Sequence, residues 1–272
     1  MNGRAAAAWS ASGLACAFLV QDPVGRCLVL VAVAAVAVAA GGRRIRGLAP
    51  ALAAASGFTA LLNFGAAHLG ATALFALPAG WPVIGGPYTL EALTYGAAAG
   101  LTLAAAVLAV APIALLEPDR LLEALPPFMA RTGAALSASL NLVPAVARTA
   151  RAVADAQRFR GWRPGLRSLP EVVVPVVLGA IEDSIQLAES MEARGYGQGP
   201  RTSYAAAGWH RADTATALCA LVSLAAVVAL RLSGALPAWQ PYPLLTLPAP
   251  GPLTVGALLL LGAPAIWWRS RA

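Results

Sequence analysis

Lysine is absent from this chain. All 19 of its basic residues are arginine, against 12 acidic ones, and the formal net charge is +7. A P-loop needs G-x-x-x-x-G-K-[ST], with the lysine reaching the phosphates. A chain without lysine does not supply one, so it is not itself a typical transport ATPase. Charge of either sign is scarce: 11% of residues are charged, where a soluble domain carries about 25%. Cysteine is limited to Cys16, Cys27 and Cys219, an odd number without metal-ligand spacing, which reads as small apolar packing residues. His68 and His210 lie far apart, with no acidic or cysteine partner expected, so no metal site is anticipated. There is no H-E-x-x-H and no G-x-S-x-G. The run Gly195-Tyr196-Gly197-Gln198-Gly199 follows no predicted strand and does not fit a dinucleotide loop. No catalytic residue and no cofactor are expected in this chain.

What is present is apolar. Hydrophobic residues make up 59% of the sequence and the mean hydropathy is +0.70. Such a composition cannot cover a water-exposed surface, and the natural solvent for much of the chain is lipid. A helix crosses the hydrocarbon core, about 30 Å thick, with roughly 20 apolar residues. Residues 24–40, 48–77, 90–116, 214–230 and 253–268 supply candidate spans. Residues 5–20 are barely long enough, and are compatible with a span, an interfacial helix or a re-entrant piece. Gln21-Asp22-Pro23 is not a small-residue cleavage site, which argues against a removed leader. Pro and Gly punctuate 78–87 as a loop, where Trp81 and Tyr88 suit an interface. Arginine bias in short loops sets orientation. The clusters at 43–46, 120–167, 194–211 and 269–271 should be cytoplasmic. One alternating path of six spans satisfies them all if 5–20 crosses, and leaves only Arg26 and Arg231 outside.

The middle of the chain differs. Residues 127–160 and 170–195 read as amphipathic helices. On the first, Arg148, Arg151, Asp155 and Arg158 share a face. On the second, Glu182, Gln186 and Glu189 share one, with Ile181, Ile185 and Ala188 on its neighbour. Each helix stops at Arg-Gly: Gln157-Arg158-Phe159-Arg160-Gly161 and Met191-Glu192-Ala193-Arg194-Gly195. Glycine after a last helical turn is a common C-cap, and arginine there favours the helix dipole. Those two facts account for a single such end. Two copies, in the most basic part of a membrane protein, point to two basic tips presented to a partner, since guanidinium is a planar five-donor fork suited to carboxylates or carbonyls. Glu182-Asp183 reads either as an intramembrane ion site or as a solvated or arginine-bound pair, and the latter is favoured. Glu91 reads as an interfacial residue or an N-terminal helix charge.

These residues resemble the transmembrane T component of energy-coupling factor (ECF) transporters, including the cobalt-type T subunits, over about residues 20 to 230. Asp22-Pro23-Val24-Gly25-Arg26 resembles that family's early D-P-x-x-[KR] stretch. Arg43 to Pro50 resembles its basic turn, and Thr89-Leu90-Glu91-Ala92-Leu93 a T-x-E-G-L-like start to a later span. The two Arg-Gly ends resemble its paired A-R-G motifs. Phe159 stands where alanine is common, and the apolar helix at 253–268 is one segment more than expected.

The resemblance implies a mechanism. Two cytosolic ABC ATPases bind ATP and Mg and each receives one tip in a surface groove. The T component holds a small membrane-embedded S component that captures a vitamin or metal ion such as cobalt. Arg160 and Arg194 would be the docking arginines, within tips formed by Phe159, Arg160, Gly161, Ala193, Arg194 and Gly195 and supported by Gln157, Arg158, Met191 and Glu192. The expectation is therefore an all-α polytopic membrane protein of the cell membrane, with about five to six spans and two long cytosolic coupling helices. Its regions would be 1–117, 118–210 and 211–272. It would be a non-catalytic subunit with no nucleic-acid partner. Two alternatives are an ion-coupled secondary transporter, for which no convincing inverted repeat is visible, and a membrane enzyme acting on lipid-linked substrates, for which no cluster of acidic ligands is visible.

Overall fold

The computed structural model describes residues 2–78, 85–116, 129–161, 165, 168–195, 208–236 and 238–269. The helices in chain order are α1 (Gly3–Leu19), α2 (Pro23–Ala66), α3 (Leu90–Ala114), α4 (Ala130–Phe159), α5 (Pro170–Ala193), α6 (Arg211–Leu232), α7 (Pro252–Gly262) and α8 (Ala265–Arg269). Between α2 and α3 lie two short strands, β1 (Ala73–Leu77) and β2 (Gly86–Thr89). Three helices, α2, α3 and α6, are long and apolar enough to cross a membrane, and the stretch Pro252–Trp268 is a shorter apolar one. The chain is an all-α membrane protein, with this one β-hairpin among the described residues. It divides into two compact units: Met1–Ala124 with Gly208–Ala272, and Leu125–Ala207.

In the first unit, α2 is two helices in one. Gly42 has φ +51° and ψ −118°, outside helical space, a conformation glycine adopts without the cost a Cβ imposes. Arg26 Nε donates to the Val20 carbonyl, and a Cβ at Gly13 would meet both Val33 and Ala109. The first half of α2 therefore runs against α1. The second half runs against α3, with Ser56 beside Gly100 and Ala60 and Asn63 beside Gly96. Glycine at 96 and 100 is what lets these helices close up, since small residues allow backbones to approach in lipid. A Cβ at Gly100 would lie 2.7 Å from the Ser56 carbonyl oxygen. Ser56 Oγ donates to the Gly100 carbonyl at 2.9 Å across the same contact.

Helix α1 packs against α3 and α6, and its residues Trp9, Cys16 and Ala17 belong to the buried core. Its start is tied to the start of α6: Asn2 N–H donates to Asp213 Oδ1 at 3.2 Å, and His210 N–H to Asp213 Oδ2 at 3.1 Å. Asp213 thus serves as the acidic partner three residues from His210 that the sequence reading did not expect. Trp9 Nε1 donates to the Leu261 carbonyl, and Trp267 and Trp268 Nε1 both donate to Thr216 Oγ1. The expected single helix at 253–268 is broken after Gly262 by Ala263-Pro264, because proline has no amide hydrogen to continue the ladder.

These contacts give the unit two distinct ends. Arg4, Arg43, Arg44, Arg46, Arg211 and Arg269 collect at one. Arg26, Arg231, Asp22 and Glu91 lie at the other. There the expected apolar run 48–77 departs from helix. It leaves α2 after Ala66, and Ala73–Leu77 pairs antiparallel with Gly86–Thr89, Phe75 facing Tyr88. Glu91 explains the departure. Its carboxylate is the N-terminal helix charge expected from the sequence, buried in the first turn of α3; it accepts the Thr72 N–H at 3.0 and 3.3 Å, and so pulls 70–72 back onto the start of α3. Thr89 Oγ1 donates to the Leu69 carbonyl at 2.6 Å. Tyr88 packs among Phe64, His68 and Phe75. Trp81 lies outside the described residues. Ala71 N–H donates to the Pro243 carbonyl, joining this hairpin to the proline-rich segment, where burial, reinforced by Tyr95 and Glu91, pushes the Tyr242 phenol above its usual range.

Overpacking a helix contact costs about 1–3 kcal/mol. Gly100→Ala should therefore lower the midpoint of thermal unfolding in detergent by several degrees. Gly57→Ala, whose added methyl meets nothing within 4 Å, should be neutral or gain up to about 1 kcal/mol of helix propensity.

Candidate functional site

Both sequence-derived tips lie in the second unit, at the ends of α4 and α5. Helix α4 carries Arg148, Arg151 and Arg158, and its last turn is steadied by Arg158 Nη1 donating to Asp155 Oδ1 at 3.1 Å. Helix α5 starts at Pro170, a residue whose missing N–H costs nothing in a first turn. The two helices pack together. Gln157 Nε2 donates to the Glu171 carbonyl at 3.4 Å, while Leu142 and Val146, earlier on α4, line a cavity with residues later on α5. As the number falls on one helix it rises on the other, so the pair is an antiparallel hairpin.

The two helices end alike. In α4, Arg160 takes φ −88° and ψ 8° and Gly161 φ +84°. In α5, Arg194 takes φ −86° and ψ 5° and Gly195 φ +74°. In each, the glycine N–H donates to the carbonyl three residues back: Gly161 to Arg158 at 3.0 Å and Gly195 to Glu192 at 2.9 Å. This is the inner bond of a Schellman cap, closed by a left-handed glycine. Arg160 N–H donates to the Gln157 carbonyl at 3.0 Å, and Arg194 N–H to Ser190 at 3.2 Å. The last turns thus consume their own backbone groups and leave the arginine side chains free to point elsewhere. Arg160 and Arg194 are both exposed.

The tips differ in one respect. Phe159 is 93% exposed, and the corresponding Ala193, also exposed, offers only a methyl. Met191 is half-buried and Glu192 exposed. Trp162, Arg163, Pro164, Tyr196 and Gly197 lie outside the described residues. The structure does not bring the two tips together. Arg160 lies near the start of α5 and Arg194 at its end, so they are separated by about the length of that helix, roughly 35 Å at 1.5 Å per residue.

Between the helices is an open apolar cavity of about 450 Å³, walled by Leu142 and Val146 on one side and by Val176, Ala180, Ile181 and Ile185 on the other. Ile181, Ile185 and Ala188, read from the sequence as one face, do share this wall. Glu182, Asp183 and Glu189 do not line it and are exposed. The cavity itself was missed, although the four-residue spacings Leu142–Val146 and Val176–Ala180 on facing helices carry its signal. Among the described residues no group of three or more His, Cys, Asp or Glu is placed to hold a metal ion.

Replacing the cap glycines tests this geometry. A left-handed conformation costs an ordinary residue about 1–2 kcal/mol. Gly161→Ala and Gly195→Ala should each speed amide hydrogen exchange through the last turn of their own helix, leaving the other tip unchanged.

No family model matches the chain. A stretch of 98 residues is 34% identical to the energy-coupling factor transporter transmembrane protein EcfT of Listeria innocua, covering 33% of this chain and 36% of that protein. The chain thus matches about a third of the length of this curated relative.

Proposed function

We propose that this chain is the transmembrane T component of an ECF-type importer, a non-catalytic subunit that carries motion from two ATPases to a substrate-binding membrane partner. The observation that carries the reading is the pair of like-capped helix ends, each presenting an exposed arginine, held at opposite ends of one antiparallel hairpin. Tips roughly 35 Å apart suit two separate receptors better than one shared site. The partial likeness to a transporter protein named for energy coupling supports the same reading.

In this reading the arginine-rich end of the first unit faces the cytoplasm of a cell-membrane protein, and α1, both halves of α2, α3, α6 and α7–α8 make six passes. The spans and the middle segment form the three regions 1–117, 118–210 and 211–272. Arg160 and Arg194 each enter a groove on one ABC ATPase, where guanidinium meets carboxylate or carbonyl acceptors. ATP and Mg are bound by those partners, and this chain holds no cofactor. The cap makes the coupling stiff: a tip whose backbone bonds are closed transmits a push to its helix instead of fraying. The antiparallel packing of α4 on α5 then converts motion at two separated points into a change across the apolar cavity between them. The S component, lying against the exposed apolar surface of these helices, is reoriented by that change and delivers a vitamin or metal ion.

Truncating one side of a buried interfacial charge pair costs about 2–5 kcal/mol. The double variant Arg160→Glu/Arg194→Glu should lose copurification of both ATPases and all ATP-dependent uptake, while its circular dichroism and its elution from size exclusion stay as in the parent. Undiminished capture and uptake by that variant would refute the coupling role. Uptake driven by an ion gradient, with no ATPase bound to the parent protein, would favour a secondary transporter.

A further inference from the structure

The turn inside α2 is the most concentrated positive charge among the described residues of the first unit, and the mechanism above makes no use of it. Helix α2 holds Arg26, Arg43, Arg44 and Arg46 and no acidic residue over its whole length. Ile45 is 5% exposed and belongs to the core. It pins the turn, while Arg43, Arg44 and Arg46 on either side are exposed. No described ion pair reaches these three. Among the described residues, the one side-chain hydrogen bond from these arginines runs from Arg46 Nε to the Gly42 carbonyl at 3.5 Å. Gly41 sits against Leu115 and Ile45, so the turn has a fixed backing.

A second feature continues from it. Arg44, Leu48, Ala51, Ala55, Phe58 and Leu62 recur at three- and four-residue steps and are all exposed, which places them on one helix face. A different face, with Ser56, Ala60 and Asn63, is the one packed on α3. A cationic cluster with an apolar stripe rising from it has the polarity of one amphiphile: an anionic head and an acyl tail. One leaflet of the hydrocarbon core, about 15 Å, spans the stripe from Leu48 to about Phe58.

We propose that this turn and stripe bind an anionic phospholipid of the leaflet at the arginine-rich end. The phosphate is held by the guanidinium groups of Arg43, Arg44 and Arg46, which match phosphate oxygens in fork geometry. An acyl chain lies along Leu48, Ala51, Ala55 and Phe58. An acidic soluble protein would match the arginines but leave the stripe below them without an occupant, so the observations favour lipid.

The test uses the full chain purified in mild detergent. Phosphatidylglycerol and phosphatidylcholine with matched acyl chains are added in equal amounts, and retained lipid is counted by native mass spectrometry. The parent should retain phosphatidylglycerol in preference, and the preference should shrink as salt is raised. An arginine near an anionic headgroup contributes roughly fivefold to binding. Arg43→Gln/Arg44→Gln/Arg46→Gln should therefore abolish the preference, each single change should lower it severalfold, and Arg231→Gln at the other end should leave it intact. Phe58→Asn should lower retention of phosphatidylglycerol. Equal retention of the two lipids by the parent overturns the proposal without reference to any variant. So does a preference that survives all three single changes, or one that Arg231→Gln removes equally well.

Discussion

The constraint on which this structure depends is where a guanidinium can be put. A chain that is mostly apolar, with arginine as its only strong cation, can keep those charges solvated only at the ends of its helices or beyond them. A charge left at mid-bilayer costs several kcal/mol. The first unit obeys this by reversing α2 at Gly42 beside three arginines, starting α1 and α6 next to Arg4 and Arg211, and finishing α8 at Arg269. The polar groups at both ends are then used as fasteners. Asp213 ties α1 to α6, and Glu91 ties the hairpin segment to α3. Between those ends, contact is made by small residues and core side chains, as at Gly96 and Gly100. These two carboxylate fasteners thus sit at the helix ends, while neutral hydrogen bonds such as Ser56 Oγ to the Gly100 carbonyl lie between them.

The second unit meets the same constraint differently. Its arginines are spaced along α4 and gathered toward the helix ends, and each end is closed by a left-handed glycine. Capping and charge act together there. The glycine N–H closes onto one carbonyl of the last turn, Arg158 or Glu192, and the side chain of the exposed arginine beside it is left for something else. That separation of tasks makes Arg-Gly more informative than either residue alone, and its repetition with closely similar backbone angles makes coincidence a poor explanation.

Features set by neighbouring residues were legible in the sequence. The arginine cluster at 43–46 between two apolar runs marked a turn, and Gly161 and Gly195 announced caps. Features set by distant residues were not. Residues 67–77 continue an apolar pattern that suits helix or strand equally. The deciding groups are the Glu91 carboxylate, which takes the Thr72 N–H, and the strand at 86–89, both well downstream. The break at Ala263-Pro264 was hidden because hydropathy ignores the missing amide. In the candidate site the tip residues could be named in advance. Their separation could not, since it follows from the antiparallel pairing of α4 and α5, and neither could the cavity, which needs side chains from both helices.

The surface of the second unit is mixed in character. Val143 is 67% exposed, Leu178 61% and Ile181 52%, on helices that also carry exposed Arg151, Glu182, Asp183 and Glu189. Water tolerates scattered apolar side chains, but a contiguous exposed apolar patch marks an interaction site. Lipid would accept the valines and leucines and reject Glu182 and Asp183, which sit within one turn of Ile181. Such a surface is apolar and charged at once, and under the proposed coupling role its apolar ridge is where the membrane partner would lie, with the acidic residues at the margin. The proposed receptors for the tips fit the same reasoning. Phe159 is almost fully exposed beside Arg160, and a benzyl group held against water at a rigid helix end is stabilised by a pocket that receives it. Ridge and tips lie on the same two helices, so a partner at either one acts on the packing that positions the other.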